Sequence, residues 1–332
     1  MKIKSLYFLI GLGLLFSCTK EAPIIENKES ILSFSGSIEK SGVYQWVEQL
    51  YDIHINDTPL SNEGYPPGEL FPSGHLTRSA VVGAVAGALS DMGYKADTIQ
   101  LGNEPHIAYN VVAEQKGALF PEEVVLVACH LDAFYGGADD NTSAVAAMLE
   151  IARAARSFSF ARTIRFAAFD LEELGSVGST RYIEAGYASD VSCAIVMDLI
   201  GYSSAEPDSQ KDIFGVTTPD TGDFIFVVGN RNSSDAIQSI ISLDHTASIS
   251  KSVGVIAPGD GTYFMSSVFM RSDHGLMWYK GIPAIFFTDG ANYRNPNYHK
   301  ISDKPETLNK DFLGNNTKLV AAAVALLAEI QP

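Results

Sequence analysis

The chain has 332 residues, a formal net charge of −16, and 46% hydrophobic and 10% aromatic residues. This composition excludes a disordered chain, because it supplies enough apolar side chains for a large core. The acidic charge argues against a nucleic-acid partner, since such proteins need a basic face to displace counterions. The length is compatible with one large α/β domain.

The first 17 residues predict a secretory signal peptide. Lys2 and Lys4 precede a short apolar run that ends in the small residue Ser17, a pattern typical of exported proteins. The run is shorter than the ~20 residues that span a bilayer as a helix. The residues around Cys18 resemble a bacterial lipobox, in which the cysteine becomes the acylated first residue; an ordinary cleaved signal is the alternative. We expect an exported cell-envelope lipoprotein, periplasmic or surface-facing, that meets the membrane only through a lipid on Cys18.

Residues 18–41 are polar and lack a periodic apolar face, so we expect a lipidated flexible tether. One domain should then occupy residues 42–332. Apolar residues at helical spacing predict helices over 43–54 and 78–92. The segment between them, 61–74, is rich in Pro and Gly and predicts a loop.

The remainder of the chain alternates between predicted strands and helices. Short apolar runs rich in β-branched residues predict strands at 109–113, 124–129, 163–169, 194–197, 224–228 and 284–287. Helical patterns cover 143–155, 235–243 and 313–330. This alternation predicts an α/β fold, a three-layer sandwich whose mixed, mostly parallel central sheet is flanked by helices.

Polar side chains follow three of the predicted strands, at the point where each strand ends. His130 and Asp132 follow the first of these, Glu172 and Glu173 the second, and Asp198 the third. Active sites of such sheets lie outside the carboxyl ends of the strands. Metal-binding residue types at three such ends indicate a site rather than a solvated surface.

Two further residues extend this set. Asp140 precedes a predicted helix, where a helix cap is the competing interpretation, and His299 lies in a late polar loop. His, Asp and Glu together form the mixed nitrogen and oxygen environment that suits zinc. One carboxylate that bridges two ions would leave an open site able to polarise a carbonyl group.

Eight short motifs occur in a fixed order. They are His130-Leu131-Asp132, Gly-Ala-Asp-Asp-Asn at 137–141, Arg-Thr-Ile-Arg-Phe at 162–166, Glu-Glu-Leu-Gly-Ser at 172–176, Met197-Asp198, Ser272-Asp273-His274, Gly-Ile-Pro-Ala at 281–284, and Tyr298-His299. On these motifs the chain resembles the bacterial leucyl aminopeptidase and aminopeptidase Y family of di-zinc peptidases, over about residues 66–310.

The resemblance implies two zinc ions and peptide substrates. His130 and Asp198 would bind one ion, Glu173 and His299 the other, and Asp140 would bridge them. The resemblance also implies the fold of the zinc exopeptidases and the hydrolysis of N-terminal peptide bonds.

Two catalytic residues are implied in the same way. Glu172 would be the general base that takes a proton from the attacking water and delivers it to the leaving amine. Only the family pattern decides which member of the pair Glu172 and Glu173 is the base. Asp132 would accept the second N–H of the His130 imidazole and hold its tautomer.

Other interpretations stay open on the sequence alone. A carboxypeptidase or dipeptidase would need a cation for the substrate carboxylate, for which Arg271 and Arg294 are candidates. A glutaminyl cyclase would use a single zinc, and an inactive lipoprotein would only bind peptides. We expect the loop at Asp273 and His274 to face the substrate; a structural hydrogen-bonded pair is the alternative. We expect Cys129 and Cys193 to be buried free thiols, although a disulfide is possible. The oligomeric state has no signature in the sequence.

Overall fold

The structure is a computed structural model that describes residues 25–60, 75–103, 106–213 and 216–332. The predicted signal peptide and the lipobox cysteine Cys18 lie outside the described residues. None of the described helices has the length and apolar character needed to cross a membrane.

The central element is a mixed sheet of eight strands. The strands of the described chain are β1 (Leu76–Thr77), β2 (Ala96–Leu101), β3 (Ala108–Gln115), β4 (Phe120–His130), β5 (Ala133–Phe134), β6 (Arg162–Phe169), β7 (Val191–Met197), β8 (Ile225–Gly229), β9 (Ser252–Ile256) and β10 (Ala284–Thr288). The spatial order of the large sheet is β2-β3-β6-β4-β7-β10-β8-β9, while β1 and β5 form a small separate pair. The central strands β6, β4, β7 and β10 are parallel to their neighbours in this row, and β2, β3 and β8 introduce antiparallel pairings.

Helices cover both faces of this sheet. The helices of the described chain are α1 (Lys28–Gly36), α2 (Lys40–Asn56), α3 (Ser79–Asp91), α4 (Ala144–Ala155), α5 (Val177–Glu184), α6 (Ser234–Ala247), α7 (His274–Tyr279) and α8 (Lys310–Leu327). Side chains of β4 alternate between two cores: Val125 and Val127 face one, and Leu126 and Ala128 face the other. This alternation is the period of a strand buried on both faces. The predicted three-layer α/β fold is confirmed.

The prediction of a flexible tether over residues 18–41 is wrong for its second half. Lys28–Gly36 is a helix whose Ile31 and Phe34 are 1% and 0% exposed. Phe34 packs edge-on against Phe158 and Phe160, with ring centroids 5.1 and 5.4 Å away. The burial of these apolar side chains offsets the conformational entropy that this short, mostly polar segment loses when it becomes ordered. The folded chain therefore begins before Gly42, the expected start.

Two strands of the eight-stranded sheet, like the short pair β1 and β5, were absent from the sequence prediction. Ala96–Leu101 and Ser252–Ile256 form the two edges of the sheet, and each is only partly buried. Edge strands carry a weaker apolar signal because one side pairs with nothing. Cys129 and Cys193 are buried free thiols, as expected.

Candidate metal centre

The five predicted metal ligands converge at the carboxyl ends of the central strands. His130 Nε2 lies 3.3 Å from Asp140 Oδ1 and 3.3 Å from Asp198 Oδ1. His299 Nε2 lies 2.9 Å from Asp140 Oδ2 and 2.9 Å from Glu173 Oε2. Within each triad the potential ligand atoms all lie within 4.8 Å of one another. Asp140 belongs to both triads and offers one oxygen to each.

Parallel strands explain this convergence. His130 is the last residue of β4, and Asp198 directly follows β7, the neighbouring parallel strand. Glu173 follows β6, the neighbour of β4 on its other side. Parallel strands end at the same edge of a sheet, so residues that are distant in the chain meet there.

Asp140 is fixed by a carboxylate that the sequence prediction missed. Asp303 Oδ1 accepts a hydrogen bond from the Asp139 N–H at 3.0 Å, and Oδ2 accepts one from the Asp140 N–H at 3.1 Å. The Asp303 side chain is buried and lies four residues after His299. It therefore ties the segment that carries His299 to the turn that carries Asp140.

Asn141 fixes the same turn from the other side. Its Nδ2 donates to the Met197 carbonyl at 3.1 Å, and its Oδ1 accepts from the Leu199 N–H at 3.0 Å. These two backbone groups flank Asp198. The spacing between Asp140 and Asp198 is thus set by one side-chain amide.

Asp132 has a different principal contact from the one predicted. His130 Nδ1 donates to the backbone carbonyl of Asp132 at 3.0 Å, whereas the Asp132 carboxylate lies 3.6 Å from Nδ1. That carboxylate instead accepts from the N–H groups of Glu172 and Glu173, at 3.0 and 3.2 Å. The reason is the turn after β6, whose free N–H groups point at Asp132. Asp132 therefore holds the turn that presents both glutamates.

Several residues in or beside the triads have left-handed backbone conformations. Positive φ angles occur at His299 (56°), Leu199 (54°), Leu171 (59°) and Tyr135 (59°). Non-glycine residues rarely adopt this conformation, which costs of order 1–3 kcal/mol and clusters at functional sites. The hydrogen bonds of Asp303, Asn141 and their neighbours hold this part of the backbone in its conformation.

The charges of the cluster depend on its burial. Burial alone would lower the pKa of His130, but the carboxylates of Asp198, Asp132 and Asp140 outweigh it and raise that pKa well above its ordinary value. For His299, burial is likewise opposed by Glu173 and Asp140, which raise the pKa to about 11. Burial raises the pKa of Glu173 to about 7. The negative potential that holds protons on the imidazoles also attracts divalent cations. Protons and metal ions therefore compete for the same imidazole nitrogens.

The donor set fits zinc. Two imidazoles and three carboxylates lie at 1–6% exposure, and zinc takes nitrogen and oxygen ligands of these types. Glu173 Oε1 is buried without a hydrogen-bond partner in the described part of the chain. A buried acceptor without a hydrogen-bond partner costs free energy because it has lost its contacts with water. A cation bound at this oxygen would offset that cost.

Glu172 faces the cluster without belonging to either triad. Its side chain is 12% exposed and its Oε2 lies 3.9 Å from His130 Nε2. Oε1 accepts a hydrogen bond from Ser176 Oγ at 3.3 Å. Burial, followed by the charges of Asp198 and Asp273, raises the pKa of Glu172 well above its ordinary value, against the opposing effect of His130. A carboxyl with a raised pKa is suited to moving protons near neutral pH.

An apolar cavity borders the cluster at Asp198 and Tyr298. Its walls include Phe226 of β8 and Phe286 of β10. Among the described residues, Arg271 is the cation that lines it; this exposed side chain donates to Asn292 Oδ1 at 2.8 Å. We name it the first cavity.

The expected substrate-facing loop at Asp273 and His274 is buried instead. Both side chains are 0% exposed. Asp273 accepts a hydrogen bond from Ser179 Oγ at 2.5 Å, and the His274 ring stacks on Phe286 at 4.0 Å. The apolar residues around this segment bury it, so the prediction is wrong for these two residues.

Arg294 is also held within the protein. It is 5% exposed, its Nε donates to Gln210 Oε1 at 3.0 Å, and its guanidinium lies over the Phe224 ring at 4.6 Å. Of the two cations considered for a substrate carboxylate, Arg271 alone lines the first cavity.

Comparison with known proteins identifies the family. Residues 110–324 match peptidase family M28, and the chain belongs to this family. It is 30% identical over 217 residues to the uncharacterised Escherichia coli protein YfbL, covering 60% of this chain and 65% of that protein. It is 27% identical over 243 residues to the "probable lipoprotein aminopeptidase LpqL" of Mycobacterium tuberculosis, covering 67% of this chain and 46% of that protein. The chain thus spans about half to two thirds of the length of these relatives.

Solved structures share the fold. The LapA aminopeptidase of Legionella pneumophila superposes with a TM-score of 0.67 at 19% identity, covering 94% of this chain and 78% of that one. A glutaminyl cyclase of Porphyromonas gingivalis superposes with a TM-score of 0.59 at 15% identity, covering 87% and 98%. The same fold therefore occurs in proteins with two different named activities, and the reaction has to be argued from the site.

Proposed function

We propose that the protein is a zinc-dependent aminopeptidase that hydrolyses N-terminal peptide bonds. The observation that supports this most is the shared carboxylate: Asp140 lies 3.3 Å from His130 and 2.9 Å from His299 through its two different oxygens. His130, Asp140 and Asp198 would hold one zinc ion, and Asp140, Glu173 and His299 a second. Each ion would keep an open position, as catalytic zinc sites do.

Zinc bound there supplies Lewis-acid polarisation of the scissile carbonyl and lowers the pKa of a water molecule. Glu172 takes the proton of the attacking water and later delivers it to the leaving amine. Its position at the rim of the cluster, outside both triads, supports this role. Asp132 acts as a positioning residue because it holds the backbone N–H groups of Glu172 and Glu173.

The first cavity would receive the side chain of the N-terminal residue. It borders Asp198, and its aromatic and aliphatic walls fit a large apolar side chain. A carboxypeptidase of the opposite polarity would place the substrate carboxylate at Arg271, the cation of this cavity. A single-zinc cyclase would need only one of the two triads. Both triads are complete, which favours a two-metal peptidase.

We also propose that the protein is an exported lipoprotein of the cell envelope, anchored through Cys18. The lipobox-like residues around Cys18 support this, as does the name of the LpqL relative. Metabolic labelling with a palmitate analogue tests it: wild type should be labelled, and Cys18→Ala should not. Equal labelling of both would contradict lipidation at Cys18.

Replacement of Glu172 by Gln tests the proposed reaction. The substitution keeps the shape and removes the base, so the two zinc ions should stay bound while hydrolysis of leucine p-nitroanilide falls by about 10²–10⁴-fold. Glu206→Gln, at an exposed position, is the matched control and should keep wild-type activity. Full activity of Glu172→Gln would refute the assignment of the base, and inactivity of the zinc-loaded wild type on every free-amine substrate would refute the function.

A further inference from the structure

The end of the sheet remote from the metal cluster exposes three large apolar or aromatic side chains. Leu119 and Phe120 are 59% and 44% exposed, and Tyr187 is 44% exposed. Phe120 is the first residue of β4 and His130 the last, so the two ends lie about 30 Å apart at the rise of a strand. Tyr187 precedes β7, which runs parallel to β4, and therefore lies at the same end. We name Leu119, Phe120 and Tyr187 the basal patch.

The first described residues lie close to the basal patch. The Asn27 side-chain amide donates to the Ile330 carbonyl at 3.0 Å, and Ile330 forms an antiparallel bridge with Phe160. On the other side of this segment, the Leu119 N–H donates to the Ala161 carbonyl at 3.1 Å. Leu119 and Ile330 are therefore two strand spacings apart, about 10 Å. The chain thus enters the domain at its basal end.

This position decides which surface of the domain can meet a bilayer. The seven residues 18–24 precede Ile25, the first described residue, and an extended chain of this length reaches about 25 Å. Since the basal patch lies near the entry of the chain, a lipid on Cys18 would hold this patch within reach of the headgroups. A short tether also keeps the patch at a high effective concentration at the bilayer, so a weak contact is sufficient to orient the domain.

The apolar side chains of the patch fit a bilayer surface. Leu119 and Phe120 belong to an exposed segment, 118–123. Lys116, three residues before Leu119, lines a surface cavity together with Tyr187. Aliphatic and phenylalanine side chains enter the boundary between headgroups and acyl chains, and tyrosine prefers the level of the headgroups. The patch therefore combines the side chains that a membrane-contacting surface uses.

The charges around the patch have both signs. Lys116 pairs with Glu114 at 2.7 Å. Arg162 pairs with Glu123 at 2.7 Å, and its guanidinium lies over the Phe120 ring at 5.6 Å. Long cationic side chains extend toward lipid phosphates, and carboxylates attract an ammonium headgroup. The surface thus matches a zwitterionic phospholipid better than an anionic one, which the net charge of −16 would repel.

We propose that the basal patch rests on a zwitterionic phospholipid surface to which the chain is tethered, with the metal cluster turned away from the bilayer. The sequence led us to expect membrane contact through the lipid alone, and the patch adds a second contact. The metal centre would then meet peptides of the aqueous compartment about 30 Å above the headgroups, the length of β4. This inference rests on the proposed lipidation of Cys18 and goes beyond the proposed aminopeptidase function.

The test uses the full-length, zinc-loaded lipoprotein reconstituted in phosphatidylcholine vesicles, with a nitroxide label on Leu119→Cys. Cys129 and Cys193 are buried, so the label attaches to the introduced thiol. Electron paramagnetic resonance measures the collisions of the label with an aqueous nickel chelate and with oxygen dissolved in the acyl region. The label on Leu119→Cys should lose most of its collisions with the chelate and gain collisions with oxygen.

Ile301→Cys is the matched control. Ile301 is 70% exposed and lies two residues after the candidate ligand His299, so a label there should keep its collisions with the chelate. Adding Phe120→Glu to the Leu119→Cys protein places a charge in the patch and should restore collisions with the chelate. Hydrolysis of leucine p-nitroanilide by the Phe120→Glu variant should equal that of wild type, which shows that the fold is intact.

Three results would overturn the proposal. The first is a label on Leu119→Cys that meets the chelate as often as the label on Ile301→Cys. The second is shielding that Phe120→Glu leaves unchanged, and the third is shielding that disappears on dilution with empty vesicles, because a second copy of the chain would then cover the patch. Labelling of the same preparations with a palmitate analogue separates the two proposals. An unlabelled Cys18 would refute lipidation and the docking with it, whereas a lipidated protein with Leu119 in water would refute the docking alone.

Discussion

Replacement of Asp303 by Asn should weaken zinc binding without touching a ligand. Asp303 accepts hydrogen bonds from the N–H groups of Asp139 and Asp140 through its two oxygens, at 3.0 and 3.1 Å. Asn keeps one acceptor and turns an NH₂ group toward the other N–H. A hydrogen bond to a charged group contributes about 1.5–3 kcal/mol, and its loss would let the bridging carboxylate of Asp140 move. Loss of residues that orient metal ligands typically costs about 10–100-fold in metal affinity.

Competition with a chromogenic chelator measures that affinity, and urea unfolding of the zinc-free protein measures stability. The matched control is Asp244→Asn. Asp244 is buried like Asp303, and its carboxylate accepts from the Ser250 N–H at 2.7 Å and from Ser252 Oγ at 2.5 Å, but it lies in α6, away from the cluster. Both variants should lose stability, while only Asp303→Asn should lose zinc affinity. Wild-type affinity in Asp303→Asn, or an equal loss in Asp244→Asn, would refute the reasoning.

Three further predictions concern the fold. Burial lowers the pKa of His54 from 6.5 to about 4, so the unfolded chain binds this proton more readily and stability falls as the pH drops below 6.5. The loss attributable to His54 should be about 2 kcal/mol between pH 7.5 and pH 5 in urea unfolding, and His54→Gln should lack it; an identical pH slope in both proteins would contradict this. Burial raises the pKa of Cys129 well above its ordinary value and that of Cys193 to about 12, so peptide mapping after iodoacetamide should find both thiols unmodified until the protein unfolds. Phe34→Ala should lower the free energy of unfolding by about 3–5 kcal/mol, whereas a value near zero would restore the interpretation of residues 28–41 as a tether.

The sequence was most informative where a buried strand ended in a polar residue. The apolar runs before His130 and Asp198 predicted β4 and β7, and the parallel arrangement brought the two ends together. The apolar patterns of the strands, together with the rule that parallel strands end at the same edge of a sheet, were sufficient to predict that His130 and Asp198 lie close together. The end of the strand before Glu173 indicated that residue in the same way, and the resemblance carried by the ordered motifs implied that Asp140, Glu173 and His299 belong to the same cluster.

Tertiary contacts decided what the sequence could not. Asp303 is a single carboxylate in a polar segment, and its role depends on two N–H groups that lie 163 and 164 residues away. Helix α1 has few apolar residues, and its Phe34 is buried by aromatic rings from a distant segment. The burial of His274 results from its packing on β10. None of these contacts has a periodic signature in the sequence.

The zinc content of the purified protein is the most direct test of the shared-carboxylate site. Elemental analysis after dialysis against limiting zinc should give two equivalents per chain in the wild type, and the Asp140→Ala variant should lose tight binding of both. One equivalent in the wild type, or two in Asp140→Ala, would contradict the assignment of Asp140 as the residue that joins the two triads.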